Sequence, residues 1–140
     1  MFANLSTSYY YMITTNPDTL KLITGLDELF AIVPRDYSFH DTEFESIHWQ
    51  NGDDIVIKFS DKFGDKIYYI TWQITPCYEE FDFCGAPHNP YASLIDVKEV
   101  VGRPDVVRFE CEGSGLVVNA TAIHVAIEEI PQEDYKLWNL

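Results

Sequence analysis

The sequence is poor in basic residues, in cysteine and in long apolar runs. Of its 140 residues, 9 are Lys or Arg and 23 are Asp or Glu, which gives a formal net charge of −14. So negative a chain repels phosphate backbones and anionic lipid, which argues against ordinary nucleic-acid or membrane-surface binding. No apolar run approaches the ~20 residues of a membrane-spanning helix, and residues 1–5 lack the basic start of a signal peptide. We therefore expect a soluble, cytoplasmic protein.

The cysteines are odd in number and widely spaced. Cys77, Cys84 and Cys111 are a poor basis for a secreted disulfide framework and favour partly buried thiols in a reducing compartment. A bridge between Cys77 and Cys84 is one alternative, because a short loop could bring them together. Zinc held by the three cysteines and His88 is another, but structural zinc sites usually pair ligands at closer spacings. The main expectation is that the protein needs no metal or cofactor.

Recognised catalytic motifs are also missing. The glycines around Ser114 resemble neither a nucleophile elbow nor a phosphate-binding loop, and a turn between strands explains them. His40 and Asp41, with nearby carboxylates, leave a small metal-dependent enzyme as an alternative, because a His pKa lies near neutrality. In the competing interpretation Asp41 caps a turn and His40 is half-buried. The remaining histidines are interpreted as sheet or loop residues: His48, His88 and His124.

One helix is expected near the N-terminus. Asn16 or Thr15 is a suitable N-cap, Pro17 fits the first turn, and Pro34 ends the segment. Apolar residues then recur at three- and four-residue spacing, which predicts one face that packs on a core. These residues are Leu22, Ile23, Leu26, Leu29 and Phe30.

From residue 43 onward the pattern is that of strands. Residues 43–49 alternate, Asn51-Gly52 is a strong hairpin signal, and residues 66–75 are apolar on both faces, which predicts a central strand. Residues 76–90 are expected to form either a short irregular strand with a loop or an extended surface loop. Further strands are expected at 93–101 and 106–112, followed by a strand at 116–122 that continues or bends into 123–130. Together these elements predict a single α+β domain over residues 1–140, with one N-terminal helix packed on a curved, mainly antiparallel sheet or small sandwich of about seven strands.

Clustered acidic residues are the strongest functional signal. Glu110 and Glu112 are spaced to lie on one face of a strand, where like charges repel. One interpretation is a solvated face that favours solubility; the other is a surface that steers a basic partner, which can raise association rates roughly 10–10³-fold. Aromatic anchors among charges are typical of tight interfaces. The predicted contact patch is Tyr78, Glu79, Glu80, Phe81 and Asp82, with Asp53 and Asp54 as second choice.

Three segments resemble small bacterial immunity proteins, which guard a cell against polymorphic toxins. They are Phe39-His40-Asp41, then Glu43-Phe44-Glu45-Ser46-Ile47, and then Asp54-Ile55-Val56-Ile57-Lys58-Phe59. The Ile- and Val-rich residues 123–130 are similar to the last strand of that family. The resemblance implies a cytoplasmic, non-catalytic inhibitor of one toxin. The Pro- and Cys-containing residues 76–90 depart from the family pattern.

The leading hypothesis is therefore a non-enzymatic acidic inhibitor that neutralises a basic protein, namely a toxin nuclease, whose groove for phosphate must be positive. A phage-encoded mimic of nucleic acid that blocks a host defence complex requires the same physics. The metal-dependent enzyme and a homo-oligomeric structural subunit are the alternatives from other classes.

Overall fold

The computed structural model describes residues 13–37, 39, 42–50, 53–82, 95–112 and 115–134; for residues 78–82 only the backbone is considered. Two short helices and seven strands follow one another along these residues. They are α1 (Pro17–Leu20), β1 (Ile23–Thr24), α2 (Leu26–Phe30), β2 (Glu43–Gln50), β3 (Asp54–Phe63), β4 (Lys66–Asp82), β5 (Ile95–Val100), β6 (Arg103–Cys111) and β7 (Leu116–Glu129), with a final 3-10 turn at Gln132–Asp134.

The strands form one open sheet in the order β2-β3-β4-β7-β6-β5. All neighbours on this path are antiparallel, and β1 adds to β7 in parallel, with Ile23 opposite Ile123. The expected α+β class, dominated by an antiparallel sheet, is confirmed. Strands β2, β3 and β4 form an antiparallel meander, and β4 lies between β3 and β7, which confirms the prediction of a central strand.

Strand β4 does not end at its proline. It runs through Pro76 to Asp82, and its pairing with β7 shifts between Thr75 and Pro76 and again between Cys77 and Phe81. Proline lacks the N–H that a regular ladder uses, so a register shift is the usual way for a sheet to include it. Of the two interpretations of this region, the irregular strand is correct as far as residue 82.

The prediction of one continuous helix between Asn16 and Pro34 is wrong. Asn16 does cap a helix, because its Oδ1 accepts hydrogen bonds from the backbone N–H groups of Asp18 and Thr19, at 2.9 and 3.5 Å. That helix ends at Leu20, and the chain then pairs with β7 through β1 before α2 begins after Gly25. No helix in the described part of the chain is long and apolar enough to cross a membrane.

The core lies on one face of the sheet, called here the inner face. The helices and the segment that follows them cover it, and the ring of Phe39 meets that of Trp72 edge-on at 5.8 Å. Trp72 also packs on Phe109 of β6, with 5.5 Å between the ring centroids. The segment after α2 is held to β3 by a hydrogen bond from the hydroxyl of Tyr37 to the buried carboxylate of Asp61.

A bulge changes the faces of β2. The alternation of residues 43–49 predicts Glu45 on the same face as Ile47 and Trp49, with Phe44 opposite them. Instead, the pairing with β3 shifts between Phe44 and Ser46, and Phe44 packs against the core beside Ile47. Because a bulge inserts one unpaired residue, every side chain before it changes face relative to a regular strand.

Candidate partner-binding surface

The face of the sheet opposite the core, called here the outer face, is mostly polar. The strand register aligns the side chains of this face in rows across β3, β4 and β7. One such row is Val56, Gln73 and His124. In its middle the side chains are largely uncharged, and Gln73 donates a hydrogen bond to Asp54 at 2.9 Å. Acidic side chains gather at two opposite corners of this face.

Three acidic side chains, called here the β5–β6 carboxylates, form the first corner. They are Asp96 of β5, Glu110 of β6 and Glu112, which directly follows β6. Asp96 and Glu110 are directly opposite each other in the strand pairing, and Glu112 follows two residues later on the same face. Glu110 forms ion pairs with Lys98 at 3.2 Å and with Arg108 at 3.6 Å. Within the described chain neither Asp96 nor Glu112 has a salt bridge, so this corner carries excess negative charge.

Burial first, and the surrounding charges second, affect the protonation of Asp96. Burial raises the pKa of Asp96; Lys98 lowers it, while the charges of Glu110 and Glu112 raise it. A cavity of about 250 Å³ opens among the three carboxylates and the start of β7. A positively charged group placed there would relieve the repulsion between the carboxylates.

Replacing Asp96 with asparagine is expected to stabilise the protein at pH 7. The pKa of Asp96 is higher in the folded state than in the unfolded state. The stability that its protonated carboxyl contributes at low pH is therefore lost as the pH rises through the folded-state pKa. The gain should therefore shrink as the pH falls below about 4, the ordinary pKa of Asp, because the carboxyl then becomes protonated in the unfolded state as well. Urea unfolding of both proteins at pH 3 and 7 measures it.

Asp105→Asn is the matched control for that experiment. A side-chain hydrogen bond from Arg103 lowers the pKa of Asp105, so its charge stabilises the fold above the unfolded pKa and that stability is lost at acidic pH. Asp105→Asn should not raise stability at pH 7. A gain in both variants, or in neither, would show that the surroundings of Asp96 are not electrostatically unfavourable.

The predicted contact patch lies beside this corner. The backbone of Asp82 is opposite Val117 of β7, which is in turn opposite Glu110 of β6. Neighbouring strands are about 4.8 Å apart, so the end of β4 is roughly 10 Å from the β6 strand. Tyr78, Glu79, Glu80 and Phe81 precede Asp82 on the same strand; their side chains, like that of Asp82, lie outside the described part.

The second-choice residues lie at the β2–β3 hairpin. Asp53 is exposed in the turn, and Asp54 begins β3 opposite Gln50. Asp54 accepts the hydrogen bond from Gln73, so its carboxylate is oriented along the outer face. The structure therefore places these two residues by the end of the edge strand β2.

The second acidic corner lies where β2 begins. Glu45 accepts a hydrogen bond from Ser60 at 2.5 Å, and burial together with the charge of Glu45 raises the pKa of Glu43. Burial also raises the pKa of Tyr69, and the nearby carboxylates raise it further. Lys58 lies over the Tyr69 ring, 4.5 Å from its centroid. The sequence shows Glu43 and Glu45 close together along the chain, and the strand register adds Ser60 and Tyr69 to this corner.

The residues of the metal hypotheses are only partly described. His40, Asp41, Cys84 and His88 lie outside the described residues, and among those described no group of three or more His, Cys, Asp or Glu is placed to hold a metal ion. Cys111 is in the core, whereas the register of Cys77 opposite Asn119 places it on the outer face. A zinc ion shared by both thiolates would need them on one face.

The described histidines, His48 and His124, lie on strands of the sheet and on its outer face. His48 is within 3.3 Å of Gln50, and the Nδ1 atom of His124 is 2.7 Å from the hydroxyl of Thr24. Both rings are exposed on strands, which agrees with their interpretation as sheet residues.

Sequence reasoning missed Asp96 as a site residue. Asp96 lies between the apolar residues Ile95 and Val97 and is not part of an acidic cluster along the chain, so nothing local marks it as a site residue. The pairing of β5 with β6 brings it opposite Glu110. The one available signal was the two-residue spacing of Glu110 and Glu112, which placed both on one face.

Comparison with protein-family models, with curated proteins and with solved structures found no match to this chain. The resemblance to immunity proteins therefore stays a prediction from the sequence segments alone.

Proposed function

We propose that this protein is a non-catalytic acidic binding protein that neutralises a basic protein partner in the cytoplasm. The observation that supports this most is the meeting of Asp96, Glu110 and Glu112 around one open cavity on the outer face. Two of these three carboxylates have no salt bridge within the described chain, so the surface has negative potential to offer a partner.

The cavity suits a basic side chain. About 250 Å³ accommodates the ammonium of a Lys or the guanidinium of an Arg with part of its stem. Such a group would form charge-assisted hydrogen bonds with carboxylates that already repel one another. It would thereby offset the repulsion from Glu110 and Glu112, which adds to burial in raising the pKa of Asp96.

A nuclease is the partner class that this chemistry fits best. An enzyme that binds phosphate backbones carries a positive surface, and a net charge of −14 accelerates its encounter with the inhibitor. The similarity to immunity proteins favours a toxin nuclease. We include the predicted patch from Tyr78 to Asp82 in the proposed surface, because only β7 separates the end of its strand from Glu110 of β6.

The test is capture of the partner with matched charge variants. One variant neutralises the β5–β6 carboxylates (Asp96→Asn, Glu110→Gln, Glu112→Gln). The control makes the same change of charge on the helices, away from this surface (Asp18→Asn, Asp27→Asn, Glu28→Gln). Tagged proteins are used to capture partners from the native host, and captured proteins are identified by mass spectrometry.

We expect a basic partner whose association rate falls about tenfold with the first variant, with weaker salt dependence, and little with the control. The purified partner should lose its nuclease activity when one equivalent of the protein is added. An acidic partner, an equal effect of both variants, or undiminished activity of the captured enzyme would contradict the proposal.

A further inference from the structure

Two basic side chains of this chain lie beside the β5–β6 carboxylates. Lys98 and Arg108 are directly opposite each other in the strand pairing, two residues along the same face from the opposed pair Asp96 and Glu110. The Nζ atom of Lys98 is 3.2 Å from Oε1 of Glu110, and a guanidinium nitrogen of Arg108 is 3.6 Å from Oε2. Both carboxylate oxygens of Glu110 therefore already face a basic group.

The two basic groups are held differently. Arg108 is half-buried, and its Nε donates a hydrogen bond at 3.2 Å to Oδ1 of the buried Asn119. The side chain of Lys98 is 50% exposed, and the ion pair with Glu110 is the one polar contact of its ammonium in the described part of the chain. An ion pair this exposed contributes little to stability, so the ammonium of Lys98 is the one that can leave Glu110 at small cost.

The charge of Lys98 also acts on Asp96. It lowers the pKa of Asp96, against burial and against the charges of Glu110 and Glu112, which raise it. Positions two residues apart on one face of a strand are separated by about 7 Å. The ammonium of Lys98 therefore cancels part of the negative potential that the β5–β6 carboxylates would otherwise present.

We propose that Lys98 is an internal competitor of the basic partner. Its ammonium occupies Glu110 in the free protein, and a basic side chain of the partner takes its place when it binds among the β5–β6 carboxylates. Lys98 then turns toward solvent, which its half-exposed side chain reaches without a change in the backbone.

The competition lowers the affinity of the site for any cation. At Glu110 the partner exchanges one ion pair for another, so only the fraction of molecules in which Lys98 has moved away offers all three carboxylates. Removing the competitor should therefore strengthen binding. This inference rests on the proposed function, since it describes how the site for a basic partner is controlled.

The test compares three variants of the full-length protein. Lys98→Met removes the ammonium and keeps an apolar stem, and Lys98→Arg keeps the charge. Lys66→Met is the matched control, because it makes the same change of net charge and also removes an exposed ion pair, that of Lys66 with Glu129 at 3.5 Å. Lys66 begins β4, at the opposite end of the strand from Asp82 and the β5–β6 carboxylates.

The binding probe is the peptide N-acetyl Arg-Arg amide, titrated at low salt. NMR of the side-chain carboxyl carbons of Asp96, Glu110 and Glu112 reports binding at this site. We expect Lys98→Met to bind the probe about threefold more tightly, which is the repulsion removed between two unit charges about 7 Å apart in water. Lys98→Arg and Lys66→Met should change the affinity by less than about 1.5-fold.

A second measurement needs no probe. Acid titration of the Asp96 carboxyl, followed by the same NMR signals, should show a higher pKa in Lys98→Met than in the unaltered protein, because a nearby positive charge is lost. The other two variants should leave the pKa of Asp96 unchanged. Circular dichroism checks that all variants fold.

Unchanged probe affinity in Lys98→Met, an equal gain in Lys66→Met, or an unchanged pKa of Asp96 would each overturn the competitor role of Lys98. None of these results would contradict an acidic inhibitor, whose own test is capture of a partner by the protein with neutralised β5–β6 carboxylates. Failure of that capture test together with a retained gain in Lys98→Met would contradict the proposed function and leave the competition for Glu110 standing.

Discussion

Replacing Gly25 with alanine is expected to destabilise the fold by about 3 kcal/mol or more. Gly25 has a φ of +92°, which side chains of L-residues rarely adopt. A Cβ atom there would also lie 1.9 Å from the carbonyl oxygen of Val125, a backbone atom in the middle of β7. The chain can relieve this clash only by separating the β1–α2 connection from the sheet.

Gly102→Ala separates the two causes. Gly102 has a similar φ of +82°, but nothing lies within 4 Å of the position of its Cβ. Its substitution should therefore cost only the backbone term, about 1–2 kcal/mol. Urea unfolding followed by circular dichroism gives both values. Equal losses would mean that the close approach of Gly25 to β7 contributes nothing to stability.

Truncating Trp72 to alanine should cost about 3–5 kcal/mol. Its side chain is fully buried at the centre of the sheet, between Phe39 and Phe109, and its removal leaves a cavity that two rigid rings cannot fill. Thermal and urea unfolding should both show the loss.

Trp72→Phe is the informative companion variant. Among the buried side-chain nitrogen and oxygen atoms of the described residues, Nε1 of Trp72 has no hydrogen-bond partner. Phenylalanine removes this donor, and the recovered cost of about 1–3 kcal/mol offsets part of the lost packing. We expect the phenylalanine variant to lose less than half of what the alanine variant loses. Similar losses in both would indicate that packing alone sets the stability at this position.

The wrong helix prediction and the confirmed antiparallel sheet show where the local sequence pattern is sufficient to predict secondary structure. Leu22, Leu26 and Leu29 have helical spacing, but the spacing does not reveal that Ile23 pairs with Ile123, one hundred positions later in the chain. The lone glycine in this pattern was a weak local sign of the break. Its reason, the proximity of Val125, is tertiary.

The candidate site shows the same division. The sequence displayed Glu110 and Glu112 on one face of a strand, and it located acidic residues at the β2–β3 hairpin. It did not display Asp96 opposite Glu110, because that neighbour comes from the pairing of two strands. Likewise the bulge at Glu45, which moves Phe44 to the inner face, depends on how β2 meets β3.

By itself, the sequence determined the features that depend on neighbours along the chain: the strong negative charge, the period of the strands, the hairpin and the cap at Asn16. The tertiary structure decided which strands are neighbours, where the helix breaks and which carboxylates meet. The reason is that charge, strand periodicity and capping act within a few residues. Strand pairing and close packing join residues that are far apart in sequence, and no local pattern encodes their partner.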